Sequence, residues 1–395
     1  MAGLEGQVQN DYPMKKYIAL LTIIALTTIT VFSLTPAPIG AQSDGEPGQD
    51  FVEPDAGVYK AKVLDVMKDV VVNTSQGFDH YEDLVMVRIL NGPFEGELRT
   101  FSHVRTGQPV YDINAEKGDV VLLLVESVDG VILETYITDY LRETYLVKLA
   151  IGFVLLLVLL GGIKGVKSLV SLTVTGLAVG FVLLPLLLKG HSPILITVLI
   201  AAAVASITFI VIGGLTRKTA AAIIGTTAGV LVAGILALAV GKSAHLTGFG
   251  QEEAAMLMYI PQGIRFDYQG LLFSGIIIGA LGAVMDVGMS IASAMEEVRR
   301  VNPAIDQKEL IRAGLNVGRD IMGTMANTLI LAYTGAAIPL MLLFMAYDTP
   351  MVKILNLDVI ATEVVRAIAG SIGLIIAIPI TAVVGGLILR KGRAE

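Results

Sequence analysis

A single carboxylate inside an apolar run is the strongest chemical signal in this chain. Residues 275–293 are apolar apart from Asp286 and two serines, and the run is near the roughly 20 residues a helix needs to cross a bilayer. Charging a lone carboxylate at that depth costs about 2.5–3.5 kcal/mol on insertion scales. At helical spacing Gly275, Gly279, Gly282, Asp286, Ser290, Ser293 and Glu297 fall on one stripe. Three glycines there suit close helix packing. An acid followed by hydroxyls suits a proton or cation site. The plainer alternative is a structural acid held by a hydrogen bond.

Two more polar series occur at helical spacing. Asp320, Thr324, Asn327 and Thr334 form one; Glu363, Arg366, Gly370, Gly373 and Thr381 form the other. Glu363 and Arg366 can pair on one helix face, as an outer gate or as an anchor fixing the helix rotation. Asn327 is a substrate neighbour or a helix–helix hydrogen bond. The expected proton, cation or transport pathway is therefore Asp286, Ser290, Ser293, Thr324, Asn327, Arg366 and Glu363, with Gly275, Gly279 and Gly282 in helix packing.

Other chemistries are poorly served. The chain has no Cys, which removes disulfides and thiolate sites. Asp79, His80, Glu82 and His103 are the one loose group of metal-ligand types, but His80, His103, His191 and His245 never repeat at ligand spacing. Gly241-Lys242 lacks the rest of a phosphate loop. No nucleophile–base pair stands out. The expectation is a protein that is not an enzyme, with no cofactor and no metal.

These residues must be positioned by helices. Hydrophobic residues make up 54% and charged residues 16%, and mean hydropathy is +0.74; soluble domains are nearer a quarter charged. Net charge is −7, with no basic nucleic-acid patch. Spans are expected near 144–163, 168–188, 193–213, 219–241, 270–290, 320–346 and 361–389. Lys15 and Lys16 precede a further apolar run, 17–34, either a signal anchor or a signal peptide cut after Ala41. Lys164, Lys167, Arg217, Lys218, Arg299, Arg300, Lys308, Arg312, Arg390, Lys391 and Arg393 all fall on one side, which the positive-inside rule makes cytoplasmic. If its helix starts near Leu271, Asp286 lies roughly 22 Å along it, in the inner half of the bilayer.

Between 50 and 140 the pattern changes. Short alternating runs at 59–66, 84–90, 97–104, 120–125 and 131–137 read as strands, with a hairpin turn at Asp129-Gly130. They suggest a small barrel. The cytoplasmic stretch 294–319 reads as amphipathic helix with a break at Asn302-Pro303.

Gly282-Ala-Val-Met-Asp-Val-Gly-Met-Ser-Ile-Ala-Ser293, Gly318-Arg-Asp-Ile-Met-Gly-Thr-Met-Ala-Asn-Thr-Leu-Ile-Leu-Ala-Tyr333 and Gly248-Phe-Gly-Gln-Glu-Glu253 resemble the YibE/F family of bacterial multipass membrane proteins. That resemblance runs from about residue 55 to the C-terminus and implies a membrane protein of poorly defined activity. More weakly, Met285-Asp286-Val287 followed by Glu296-Glu297 and Arg299-Arg300 is similar to the proton-conducting part of SecDF and related RND transporters. That likeness implies proton uptake by an intramembrane acid. The chain departs from that pattern: it has extra spans, a small external domain, and no acid within the Asn327 span.

The expected architecture is an all-α polytopic membrane bundle of about seven to eight transmembrane helices. A small all-β, OB-like extracytoplasmic domain follows the first helix. Residues 1–49 are anchor or signal peptide plus linker, 50–143 the β domain, and 144–395 the helical domain. The expected function is a bacterial inner-membrane secondary transporter or permease, proton-coupled through Asp286. The alternative is a non-transporting scaffold or an accessory to protein export or envelope assembly. Expected partners are the lipid bilayer, an unknown small solute or ion, a protein at the external domain, and a second copy of the chain, with no nucleic acid.

Overall fold

The computed structural model describes residues 55–75, 78–108, 110, 112–250, 252–260 and 266–389. The N-terminal run 17–34, with its anchor or signal-peptide reading, lies outside them, as do Arg390, Lys391, Arg393 and the side chains of Asp79 and His80. Two compact units adjoin in sequence at Phe153 and Val154.

The first unit is a small antiparallel half-barrel. Its strands are β1 (Asp55–Ser75), β2 (Phe78–Ile89), β3 (Leu98–Arg105), β4 (Val120–Val128) and β5 (Val131–Tyr140). The sheet order is β3-β2-β1-β4-β5. β1 runs through the middle and pairs with both β2 and β4, bulging between Val63 and Asp65 and again between Met67 and Val71. Such bulges bend a strand and let a sheet curl. Alternation then sends Ala61, Val63, Val85, Val87, Ile89, Val121, Leu123 and Val125 inward, all at most 1% exposed. The expected Asp129-Gly130 turn has φ of 51° and 76°, the left-handed pair that a tight hairpin needs. Buried among the apolar residues, Asp83 accepts from Arg105 Nε at 2.7 Å.

The second unit is helical. The long helix α1 (Glu143–Leu177) begins in the first unit and is broken at Gly162, whose φ is 54°. A π-helical turn (Ala178–Leu183) leads into α2 (Leu184–Leu188). The break at Gly162 is sharp: the Leu157 carbonyl lies where a Gly165 side chain would go. On a straight helix those residues stand about 12 Å apart. Then come α3 (Pro193–Gly213), α4 (Arg217–Ser243), the short α5 (Glu252–Met256), α6 (Tyr268–Val301), α7 (Gln307–Ala336), α8 (Ile338–Ala346), α9 (Met351–Leu355) and α10 (Asp358–Ile388). Side-chain caps start α4 at Thr216, α6 at Asp267 and α7 at Asp306.

Among the described residues five helices are long and apolar enough to cross a membrane, or six if α7 and α8 form one span bent by 57°. The expectation for this region was seven. The difference lies in 144–163 and 168–188, which are two limbs of one helical stretch, Glu143–Leu188, around the Gly162 break. The expected interruption at Asn302-Pro303 separates α6 from α7.

Small residues set the packing. At the α4–α10 crossing a Cβ on Gly229 would lie 2.6 Å from the Gly373 carbonyl oxygen, and one on Gly373 would lie 2.7 Å from the Gly229 carbonyl oxygen. The two backbones touch with no side chain between them, the close approach that glycine permits. Gly225 likewise receives Thr381, and Gly241 receives the Phe273 ring. Around this pair α6 contributes Ile277, Ala280, Val284, Val287, Ile291, Ala292 and Met295, each fully buried. Antiparallel to α6, α7 docks Gly314 on Met295 and Gly318 on Ile291.

Candidate functional site

The rotation of α6 decides where Asp286 points. Its buried face carries Val284 and Gly288, which meet α4: Thr226 Oγ1 donates to the Val284 carbonyl at 3.4 Å, and a Cβ on Gly288 would lie 2.6 Å from that hydroxyl. Met289, on one flank, lies against Gly213 of α3. At the basic end, Lys218 of α4 pairs with Glu296 of α6 at 2.6 Å. With that face fixed, the opposite stripe is open. Gly275, Gly279, Gly282, Asp286 and Ser290 are all exposed, and Ser293 is half-buried. Among the described residues Asp286 has no hydrogen-bond or ion-pair partner.

The glycines of this stripe divide. Around Gly275 and Gly282 there is open space, so no helix of the described chain packs on them as the sequence suggested. Gly279 is different. A Cβ there would lie 2.6 Å from the Tyr333 hydroxyl, which reaches over from α7.

Thr324 and Asn327 sit on the face of α7 turned away from its packed residues Gly314, Gly318 and Leu329, and both are exposed. The Thr324 hydroxyl donates back to the Ile321 carbonyl at 2.9 Å. The antiparallel register puts Thr324 near the depth of Asp286, but no contact joins them among the described residues. Asp286 and Asn327, expected as neighbours, are not brought together.

Glu363 and Arg366 are. Arg366 Nη1 donates to Glu363 Oε1 at 2.8 Å, with side chains 16% and 19% exposed for Arg366 and Glu363. The Arg366 guanidinium also lies 5.9 Å from the centre of the Tyr333 ring, within cation–π range. Its Nε is buried without a hydrogen-bond partner, as is the Thr362 hydroxyl one turn earlier. Three helices thus meet in one polar cluster: Glu363 and Arg366 from α10, Tyr333 from α7, and Gly279 from α6. Gly279 precedes Asp286 by two turns, about 10 Å along the helix.

Tyr333 was not singled out from the sequence. It ends the Gly318–Tyr333 motif and follows Leu329 by four residues, so it shares the packed face of α7. That spacing was the available signal.

In the half-barrel, His103 Nε2 contacts the Ile113 carbonyl at 2.8 Å and Glu82 accepts from Ser102. Among the described residues no three potential metal ligands cluster.

A model of the family described as YibE/F-like protein matches residues 149–391. That span takes in every helix of the cluster and all of the Asp286 stripe. Neither the curated proteins nor the solved structures gave a match.

Proposed function

The chain belongs to the YibE/F-like family, and on that premise we propose a multipass bacterial inner-membrane protein that acts as a proton-coupled secondary transporter or permease for a small solute or ion. The observation that carries this reading is the open stripe of α6. A carboxylate with no partner in the described chain lies along an apolar helix, on the face turned away from the core. An acid at that depth must face water or protein, because lipid solvates it badly. A water-filled path along Gly275, Gly279, Gly282 and Ser290 gives it that setting and a proton supply. The small residues keep the path wide. Arg366, Glu363 and Tyr333 stand at its outer end as a gate. In this reading the two limbs of Glu143–Leu188 on either side of the Gly162 break each cross the membrane, and the positive-inside rule then favours the N-terminal ends of α6 and α10 outside and the half-barrel in the extracytoplasmic space.

The test uses purified protein in vesicles loaded with a pH-sensitive dye. Wild type should pass protons when a solute gradient is applied, and Asp286→Asn should cut that flux at least tenfold while folding normally. If both variants behave alike, the proton-site reading fails.

A second reading is an accessory or scaffold role in export or envelope assembly. The outward direction of Asp286 also suits docking against another membrane protein. Asp286→Asn would then reduce co-purification of that protein while no proton flux occurs in any variant.

A further inference from the structure

Among the helices long and apolar enough to cross a membrane, α4 and α6 follow one another in sequence. Two consecutive spans leave and re-enter a bilayer at the same surface. The chain between them therefore stands at that surface, whichever way the bundle is oriented. It carries an unbroken apolar run, Ala254-Ala-Met-Leu-Met-Tyr-Ile260. The run forms the end of α5 (Glu252–Met256) and a single turn of 3-10 helix (Leu257–Tyr259). None of its residues is buried, and Met256, Met258 and Tyr259 are 67%, 61% and 84% exposed. A run of exposed apolar residues this long is poorly suited to water and marks a contact surface.

The entry to the run is held in place. Phe249 packs on Tyr268, the first residue of α6, with ring centres 4.3 Å apart. Thr247 donates to Asp358, the first residue of α10, through its backbone N–H at 3.2 Å and its hydroxyl at 2.6 Å. Both contacts are to the N-terminal ends of apolar helices, which sets the level at which α5 begins. Glu252 and Glu253 head α5, and no charged residue follows before Ile260. An acidic start and an apolar end carrying tyrosine suit a segment lying in the plane of a membrane interface.

On the membrane-spanning reading of α4 and α6, we infer that residues 254–260 bind the lipid surface itself. Met256, Met258 and Tyr259 enter the boundary between headgroups and acyl chains, and Glu253 stays in water at headgroup level. Lipid is the occupant because the run continues a surface that lipid already covers in that reading. Leu231, Ile235 and Val240 are exposed along α4 toward the end from which this connection departs. Tyrosine is also the aromatic suited to this depth in a chain that has no Trp.

With no native Trp, one introduced tryptophan reports alone. Full-length Tyr259→Trp is reconstituted in phosphatidylcholine vesicles, with or without bromine on the acyl chains close to the headgroup. Met258→Trp takes its place if that variant does not fold. Ile235→Trp, within α4, is the reference, read with bromine in the middle of the chains. Emission from Tyr259→Trp should lie to the blue of free tryptophan and lose at least half its intensity in brominated lipid. Iodide on both sides of the membrane should quench it at least threefold less than free tryptophan. Full quenching by iodide with none by brominated lipid overturns the inference, because the run then stands in water. Protection from iodide without quenching by brominated lipid also overturns it, because protein, such as a second copy of the chain, then covers the run. Quenching of Ile235→Trp but not of Tyr259→Trp by brominated lipid overturns this inference and leaves the spanning reading in place. Quenching of neither overturns both.

Discussion

The Tyr333 hydroxyl of α7 stands 2.6 Å from the point where a Gly279 side chain on α6 would begin. The same ring faces the Arg366 guanidinium at 5.9 Å. One tyrosine thus links the ion pair of α10 to the stripe that holds Asp286.

Enlarging Gly279 should move that tyrosine. Gly279→Val is expected to displace the Tyr333 ring and loosen its contact with Arg366. Flux in the vesicle assay should fall about tenfold, with only a modest change in melting temperature because the group in the way is the tip of the Tyr333 side chain, which can move aside. Tyr333→Phe removes the crowded hydroxyl and should make the valine better tolerated. A double-mutant cycle reads that coupling, expected at about 0.5–3 kcal/mol. Additive effects would mean the two residues act separately.

The α4–α10 crossing has no such slack. A methyl on Gly229 would strike the Gly373 carbonyl and the Ala377 side chain, and backbone cannot move aside as a side-chain tip can. Gly229→Ala should cost about 1–3 kcal/mol, the usual penalty of overpacking, and Gly229→Val should prevent assembly. Thermal unfolding in detergent measures this. Gly275→Ala, placed in open space, is the matched control and should leave the melting point in place.

In the half-barrel Asp83 is 1% exposed and held by Arg105. Arg105→Met leaves that carboxylate buried without its charge partner and should destabilise the domain by about 3–5 kcal/mol. Replacing both residues by apolar ones of similar volume should recover most of the loss. Denaturant unfolding followed by the tyrosines of this domain distinguishes the single from the double variant.

Asp112 confers an acid-sensitive contact. Burial acts to raise its pKa, but hydrogen bonds from the Thr106 backbone and hydroxyl outweigh it, aided by the Gly107 backbone and Arg105, so the pKa lies below the ordinary carboxylate value. A folded-state pKa below the unfolded one gives stability that is complete above the unfolded value and lost as pH falls through the folded one. The Thr106–Asp112 contact should therefore loosen below about pH 4. Asp112→Asn should loosen it at neutral pH and flatten the acid response, seen by hydrogen exchange at Thr106.

Much of the fold was legible because two periodicities carry it. Alternation located all five strands near their observed positions, and apolar run length located the helices. The break at Asn302-Pro303 follows from proline chemistry. What the sequence withheld is rotation and partnership. A glycine stripe looks the same whether it meets a helix or open space, so Gly229 and Gly275 could not be told apart. The Glu363–Arg366 pair was readable because both partners lie one turn apart on one helix. Tyr333 and Gly279 sit on different helices far apart in sequence, and only tertiary packing joins them. For the same reason Asn327 was grouped with Asp286: both are polar and on neighbouring helices, yet both are exposed and no hydrogen bond joins them among the described residues.

The Gly229–Gly373 contact also limits how the helical unit can change shape. Where side chains interleave, a helix can shift by small rotamer changes. Here a carbonyl rests directly against the neighbouring backbone, so sliding would drive oxygen into carbon, and the crossing resists displacement. Under the proposed transport reading, a working stroke would fall to the elements around it. The best placed is α7, packed along one side only, bounded by the break at 302–306 and the bend at Ala337. Its swing would carry Tyr333 across Gly279 like a pawl on a tooth, with the acid of the same helix face two turns further on.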